Sequence, residues 1–306
     1  MNRNHNRKQW LDIAKGIAII LMVIGHTSIP NIASNFIYAF HMPLFFIASG
    51  FTSNFKKHSP ESFIKHKFRI IILPFLIYSV IVSIMLHAIE QMNFIHLLSN
   101  GWEGYALWFI PVLFLASILA MLTSHVGNAP FRYGIMLCLF LSGYGLSYFN
   151  ILLPWTLSTV PYATFLILVG VELKHLQKYI EKPARYWDIA LLFIIVTAVS
   201  QFYRLDLAWN KITPILPLTI GAISGTLMIF RLSVWVGHHI KRFSTILQGI
   251  GRETYIVVAF SQVIIMYLIH FFAMPTLLNY VSLTVLLVLL KYAKDGINRL
   301  LKVKIL

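Results

Sequence analysis

Charge is what this chain has least of. Its 306 residues hold 25 Lys and Arg and only 10 Asp and Glu, 11% in all, where a soluble globular protein carries about 25%. An ordinary water-soluble domain is therefore excluded. Cysteine is nearly absent too: Cys138 stands alone in an apolar run, so no internal disulfide forms and nothing is learned of the redox compartment. Cys/His metal spacing, a phosphate loop of the P-loop type and a Gly-x-Ser-x-Gly elbow are all missing, and no metal is expected. Alternation of period two is missing as well, which argues against barrel strands. With neither a tandem repeat nor a low-complexity linker, and with a C-terminal KVKIL that leaves no room for more, residues 1–306 read as one membrane domain without an appended soluble one.

What is abundant is apolar length. The chain is 58% hydrophobic with a mean hydropathy of +0.76, and its long uninterrupted runs predict an all-α, polytopic membrane protein. MNRNHNRKQ followed by an apolar run resembles a secretory signal, but the run is long and lacks a small-x-small cleavage site, so it reads as a span. Runs near the roughly 20 residues a bilayer needs number ten: 11–29, 36–53, 70–90, 105–123, 132–149, 157–173, 187–205, 212–230, 253–272 and 276–292. Pro161, Pro214 and Pro217 bear on the ends of the sixth and eighth.

The basic residues test that count. With the N-terminus inside, 23 of the 25 Lys and Arg fall on cytoplasmic segments, and only Arg204 and Lys211 fall outside. Such a bias predicts both termini in the cytoplasm. It also accounts for the net charge of +15 without nucleic acid.

Ionisable residues interrupt the first two spans, and such groups are costly there and mark functional candidates. Lys15 and His26 are eleven residues apart, which puts them on one helix face about 16 Å apart along the axis. His26 lies past the bilayer midplane. It is either hydrogen-bonded within the bundle or a neutral imidazole able to take a proton from an attacking hydroxyl. Lys15 either snorkels to the inner interface and pairs with Asp12 or meets a phosphate. Pro43, two residues after His41, predicts a break or a new helix start, while Ser49 and Gly50 suit close helix packing.

LDIAKG with His26 ten residues beyond it, and FHMPLFFIASGF (Phe40 to Phe51), resemble the first two motifs of the acyltransferase-3 superfamily of integral membrane acyltransferases, in the branch akin to fucose 4-O-acetylases. The resemblance covers most of the chain and is most specific from Leu11 to Phe51. It implies a multi-pass O-acyltransferase of the inner (cytoplasmic) membrane, moving an acetyl group from cytoplasmic acetyl-CoA to a hydroxyl of a sugar or envelope glycan. His26 would be the catalytic base and His41 a second polar group at the reaction centre. Lys15 stands where the family usually has arginine; it would meet a donor phosphate, without arginine's two-pronged geometry. KHKFRIIILPF (Lys65 to Phe75) resembles the family's paired-arginine segment, which suggests Arg69, with Lys67 or His66, as further donor contacts, or else plain positive-inside charge. YALWFIPVLF resembles another family segment. Around it, Glu90, His96 or Glu103 would meet acceptor hydroxyls, and Trp102 or Trp108 would stack on a sugar ring or anchor the interface. GRETYIVVAFSQ departs from the family, with Ser261 where a histidine is common.

A rival reading is a transporter or flippase for a glycolipid or small solute, with Lys15 and His26 as substrate or proton sites. The absence of an inverted repeat argues against it. Oligomeric state leaves no trace in the sequence.

Overall fold

The structure, a computed structural model, describes residues 8–27, 29–57, 59–89, 94–102, 104–272 and 276–300. Among these the chain is helical throughout. In order come α1 (Gln9–Gly25), α2 (Asn31–Thr52), α3 (Pro60–Lys67), α4 (Leu73–Ala88), α5 (Phe94–Asn100), α6 (Phe109–His125) and α7 (Ala129–Tyr148). They continue as α8 (Val160–Glu172), α9 (Gln177–Glu181), α10 (Tyr186–Phe202), α11 (Ile215–His239), α12 (Lys241–Arg252), α13 (Thr254–Phe272) and α14 (Thr276–Leu300). Each of the ten apolar runs falls on one of these helices. Six described helical stretches are long and apolar enough to cross a membrane: Asn31–Thr52, Pro60–Ala88, Ala106–His125, Pro154–Glu181, Ile215–His239 and Thr254–Phe271. The protein is an all-α, polytopic membrane protein.

Two compact units divide the chain. The first takes in the chain up to Ser53 with Ala163–Leu207 and Lys211–Thr254; the second holds Asn54–Tyr162, Ala208–Asn210 and the chain from Tyr255 on.

Small residues set the spacing of the first unit. A side-chain methyl at Gly50 would run into the Ile167 carbonyl, and one at Gly170 into the Ile47 carbonyl, so α2 and α8 cross at backbone contact. Gly16 and Gly251 do the same for α1 and α12, against Leu247 and Asp12. Removing side-chain bulk lets backbones approach, the usual device where lipid supplies no hydrophobic drive between helices. Asp12, 3% exposed, accepts an ion pair from Arg252 Nε at 3.3 Å and so ties the same two helices.

The structure departs from the sequence reading at three places. First, α2 runs unbroken through Pro43. The break expected near His41 does not occur, although proline removes a backbone donor.

Second, α11 extends nine residues past the expected end, and carries Arg231 into the protein, 2% exposed. Its guanidinium donates to the carbonyls of Tyr179, Ile180, Lys182 and Pro183 and to Asp188 Oδ2 at 2.8 Å. A cation counted as a cytoplasmic loop charge is thus a buried clasp on the end of α9.

Third, α12 was read only as part of a basic loop. It is amphipathic: Ser244, Leu247 and Gly251 are buried, while Lys241, Arg242, Phe243 and Ile246 are exposed.

In the second unit the helix begins at Pro60, ten residues before the expected span. Ser59 caps it, its hydroxyl accepting from Ser62 N at 3.4 Å. A π-helical turn, Phe68–Ile72, joins α3 to α4. The hydroxyl of Tyr255 donates to Ile71 O in that turn at 2.7 Å. Gln262 on α13 clamps the loop before α6: its side-chain oxygen accepts from Ala106 N at 3.0 Å, and its amide donates to Gly104 O at 2.9 Å.

Candidate active site

The site in the first unit is built where α1 stops. The His26 N–H bonds Met22 O and Val23 O, both at 3.2 Å, and Thr27 closes the turn by donating its N–H (3.0 Å) and hydroxyl (2.7 Å) to Ile24 O. Pro30 then sets the start of α2. His26 therefore caps α1 with its ring exposed.

The second half comes from α2. Tyr38 and His41, three residues apart, share a face and pack edge-to-face with centroids 4.9 Å apart. On its other side Tyr38 meets His26, at 6.2 Å and 70°. His41 is 3% exposed and its Nδ1 lies 2.9 Å from Ile37 O. A carbonyl only accepts, so Nδ1 carries the proton and Nε2 of the neutral ring is the basic nitrogen. One histidine is thus an exposed residue and the other enclosed, and both pack against the same tyrosine.

Arg204 completes the cluster. Its Cζ stands 3.8 Å from the Tyr38 ring centre, and its Nη1 donates to Ser34 Oγ at 2.8 Å and to Asn35 Oδ1 at 3.4 Å. The loop that presents it is closed by a backbone pair, Asp206 N to Lys211 O at 3.0 Å and Lys211 N to Asp206 O at 2.8 Å. Sequence reasoning did not assign Tyr38 or Arg204. For Tyr38 the spacing to His41 was the available signal; for Arg204 it was the exception to the charge bias.

Lys15 is half-buried on α1, on the same face as His26. Its expected partner Asp12 engages Arg252. A cavity of about 320 Å³ lined by Trp10, Ile13, Glu181, His238 and Gln248 opens beside the start of α1. By helical phase it lies on the side away from Lys15.

The remaining candidates lie in the second unit. His66 and Lys67 are on α3 and Arg69 is in the π turn. His66 and Arg69 are exposed, and Lys67 holds its Nζ 5.5 Å from the Phe63 ring centre. A π turn takes more residues than an α turn, so it re-phases Arg69 relative to His66, and such turns recur at functional sites. Trp102 and Trp108 are 1% and 5% exposed. Trp102 donates to Ser79 Oγ at 3.1 Å and Trp108 packs edge-on against Phe109 at 6.1 Å. The sugar stacking expected of them finds no open ring face, because both indoles serve packing. His96 is exposed beside Asn100, 3.1 Å from its amide. Glu90 and Glu103 lie outside the described residues. Ser261 is buried, 2% exposed. Among the described residues no three His, Cys, Asp or Glu side chains come close enough to hold a metal ion.

A polytopic helical protein with histidines gathered at a helix end has the form of a membrane-embedded transferase. The chain belongs to the acyltransferase-3 family, whose model, an acyltransferase domain, matches residues 8–294. No curated protein and no solved structure matches it. The protein is a multi-pass membrane acyltransferase.

Proposed function

We propose that this chain, acting as one acyltransferase domain over residues 1–306, moves an acetyl group from cytoplasmic acetyl-CoA to a hydroxyl of a sugar or envelope glycan at the outer face of the inner membrane. The observation that carries the reading is the pairing of exposed His26 with enclosed His41 about Tyr38, at the end of α1 far from Lys15. His26 takes the proton of the attacking hydroxyl as its oxygen bonds the thioester carbonyl carbon. The carbon–sulfur bond then breaks, and the proton passes to the departing thiolate. His41, its tautomer fixed by Ile37, holds a basic nitrogen toward the same centre. Lys15 meets a donor phosphate, and Arg69, with Lys67 or His66, is a donor contact by sequence alone. Glu103 remains an acceptor contact by sequence alone.

The test uses membranes from the source cells and acetyl-labelled CoA, following label into glycan, with calorimetry of CoA on the purified protein. Incorporation together with measurable CoA affinity supports the reading. Well-folded protein that neither binds CoA nor transfers label contradicts it and favours transport without chemistry.

A further inference from the structure

We infer that Arg204 forms a binding site for an anionic group, a carboxylate or phosphate oxyanion, carried by the acceptor close to the hydroxyl that is acylated. The inference rests on the acyl-transfer reading of His26 and names the acceptor class that reading leaves open.

Three observations carry it. The first is position. Arg204 and Lys211 are the two cations among 25 that the charge distribution leaves on the outer side. Lysine and arginine are disfavoured there because they oppose insertion, so an outer arginine at the histidine cluster has a local reason. The loop itself, from Tyr203 to Lys211, carries Arg204, Asp206 and Lys211, a net single positive charge.

The second is orientation. The guanidinium is not a loose surface charge: Ser34, 7% exposed, accepts from Nη1, Asn35 shares that nitrogen, and the plane lies on Tyr38. The bonds to Ser34 and Asn35 both come from Nη1, and the Tyr38 hydroxyl is a further side-chain partner, so the remaining donors of the five-donor fork lie on a residue that is exposed as a whole. A fixed fork with an accessible edge matches the two oxygens of a carboxylate or phosphate. A neutral hydroxyl would be served by an uncharged donor.

The third is reach. Arg204 Cζ is 3.8 Å and the His26 ring 6.2 Å from the same Tyr38 ring centre. The cation and the base are therefore no more than about 10 Å apart. With roughly 3 Å for each hydrogen bond, at most about 4 Å remains between the two ligand oxygens, the spacing of neighbouring substituents on one sugar ring, with the hydroxyl at His26 and the anionic group at Arg204.

The experiment compares wild-type protein with Arg204→Gln and Arg204→Lys, all in nanodiscs and checked for equal thermal stability. The substrates are the source glycan in three forms: native, carboxylates amidated with carbodiimide and amine, and phosphates removed. Label transfer gives KM and kcat for the glycan, and equilibrium binding of each form is measured in parallel. The expected result is a KM for native glycan raised about ten-fold or more in Arg204→Gln, the scale of one charge-assisted contact, with kcat within about two-fold and partial recovery in Arg204→Lys. Wild-type protein should lose affinity to the same extent for the amidated form if the group is a carboxylate, or for the dephosphorylated form if it is a phosphate. An unchanged KM, equal binding of all three forms, or a fall in kcat at constant KM overturns the inference; the last would place Arg204 at the reacting carbonyl. If wild-type protein transfers no label, the acyl-transfer reading fails. The binding series still decides the anion site by the same comparison.

Discussion

At the scale of single residues, the site is a set of side chains that need one another. Tyr38 packs against both histidines and receives Arg204 on its ring, so the exposed histidine, the enclosed one and the cation all meet one aromatic side chain. His26, His41 and Lys15 were legible because polar groups in apolar runs are conspicuous and helical spacing fixes their common face. Tyr38 was not legible, since an aromatic residue in a membrane helix looks like any packing residue. Trp108 admitted two sequence readings, a sugar platform or an interface anchor, and its indole is 5% exposed.

Lys15 carries the clearest prediction at this scale. On the proposed reading, the Lys15 ammonium would meet a donor phosphate as a point charge, and losing one charge-assisted contact costs about 1.5–3 kcal/mol. Lys15→Ala should weaken CoA binding roughly ten- to a hundred-fold by calorimetry with unchanged expression, and Lys15→Arg should retain or improve it. Undiminished affinity in Lys15→Ala would remove Lys15 from the donor site.

At the scale of elements, helix existence was legible and helix ends were not. The apolar runs mark where helices lie, but ends are set by tertiary bonds that composition does not carry. Arg231 shows why: four carbonyls at and after the α9 end and Asp188 accept from its two terminal nitrogens, so α11 can bury a charge that the sequence alone assigns to water. Pro43 shows the reverse, a residue read as a breaker that stays inside a helix. Gly50 behaved as its size suggested, at a close crossing.

Breaking a buried ion pair by deleting one partner costs about 3–5 kcal/mol, because the other side is left unpaired. Arg231→Met should therefore lower the detergent-solubilised protein's thermal midpoint sharply. Arg231→Lys should recover little, since one ammonium cannot reach this spread of acceptors. A midpoint within a degree of wild type would show that the clasp is dispensable.

At the scale of the whole molecule, membrane residence and family follow from composition and motif, while sidedness follows from charge. On the bias of basic residues, Lys178 is expected in the cytoplasm and Asn150 outside. Reporter fusions at those two positions should give opposite signals. The same signal from both would break the ten-crossing arrangement and with it the route from an inner donor to an outer acceptor.

The central claim is that His26 is the base of acyl transfer, and one comparison tests it most directly. Membranes carrying wild-type protein or His26→Ala receive labelled acetyl-CoA, and label is followed into glycan. Loss of a general base typically costs 10²–10⁴ in rate, whereas His26 lies about 16 Å along α1 from Lys15, so CoA binding should survive. The account predicts transfer reduced at least a hundred-fold with donor affinity intact. Transfer at the wild-type rate would make His26 a structural histidine and contradict the mechanism.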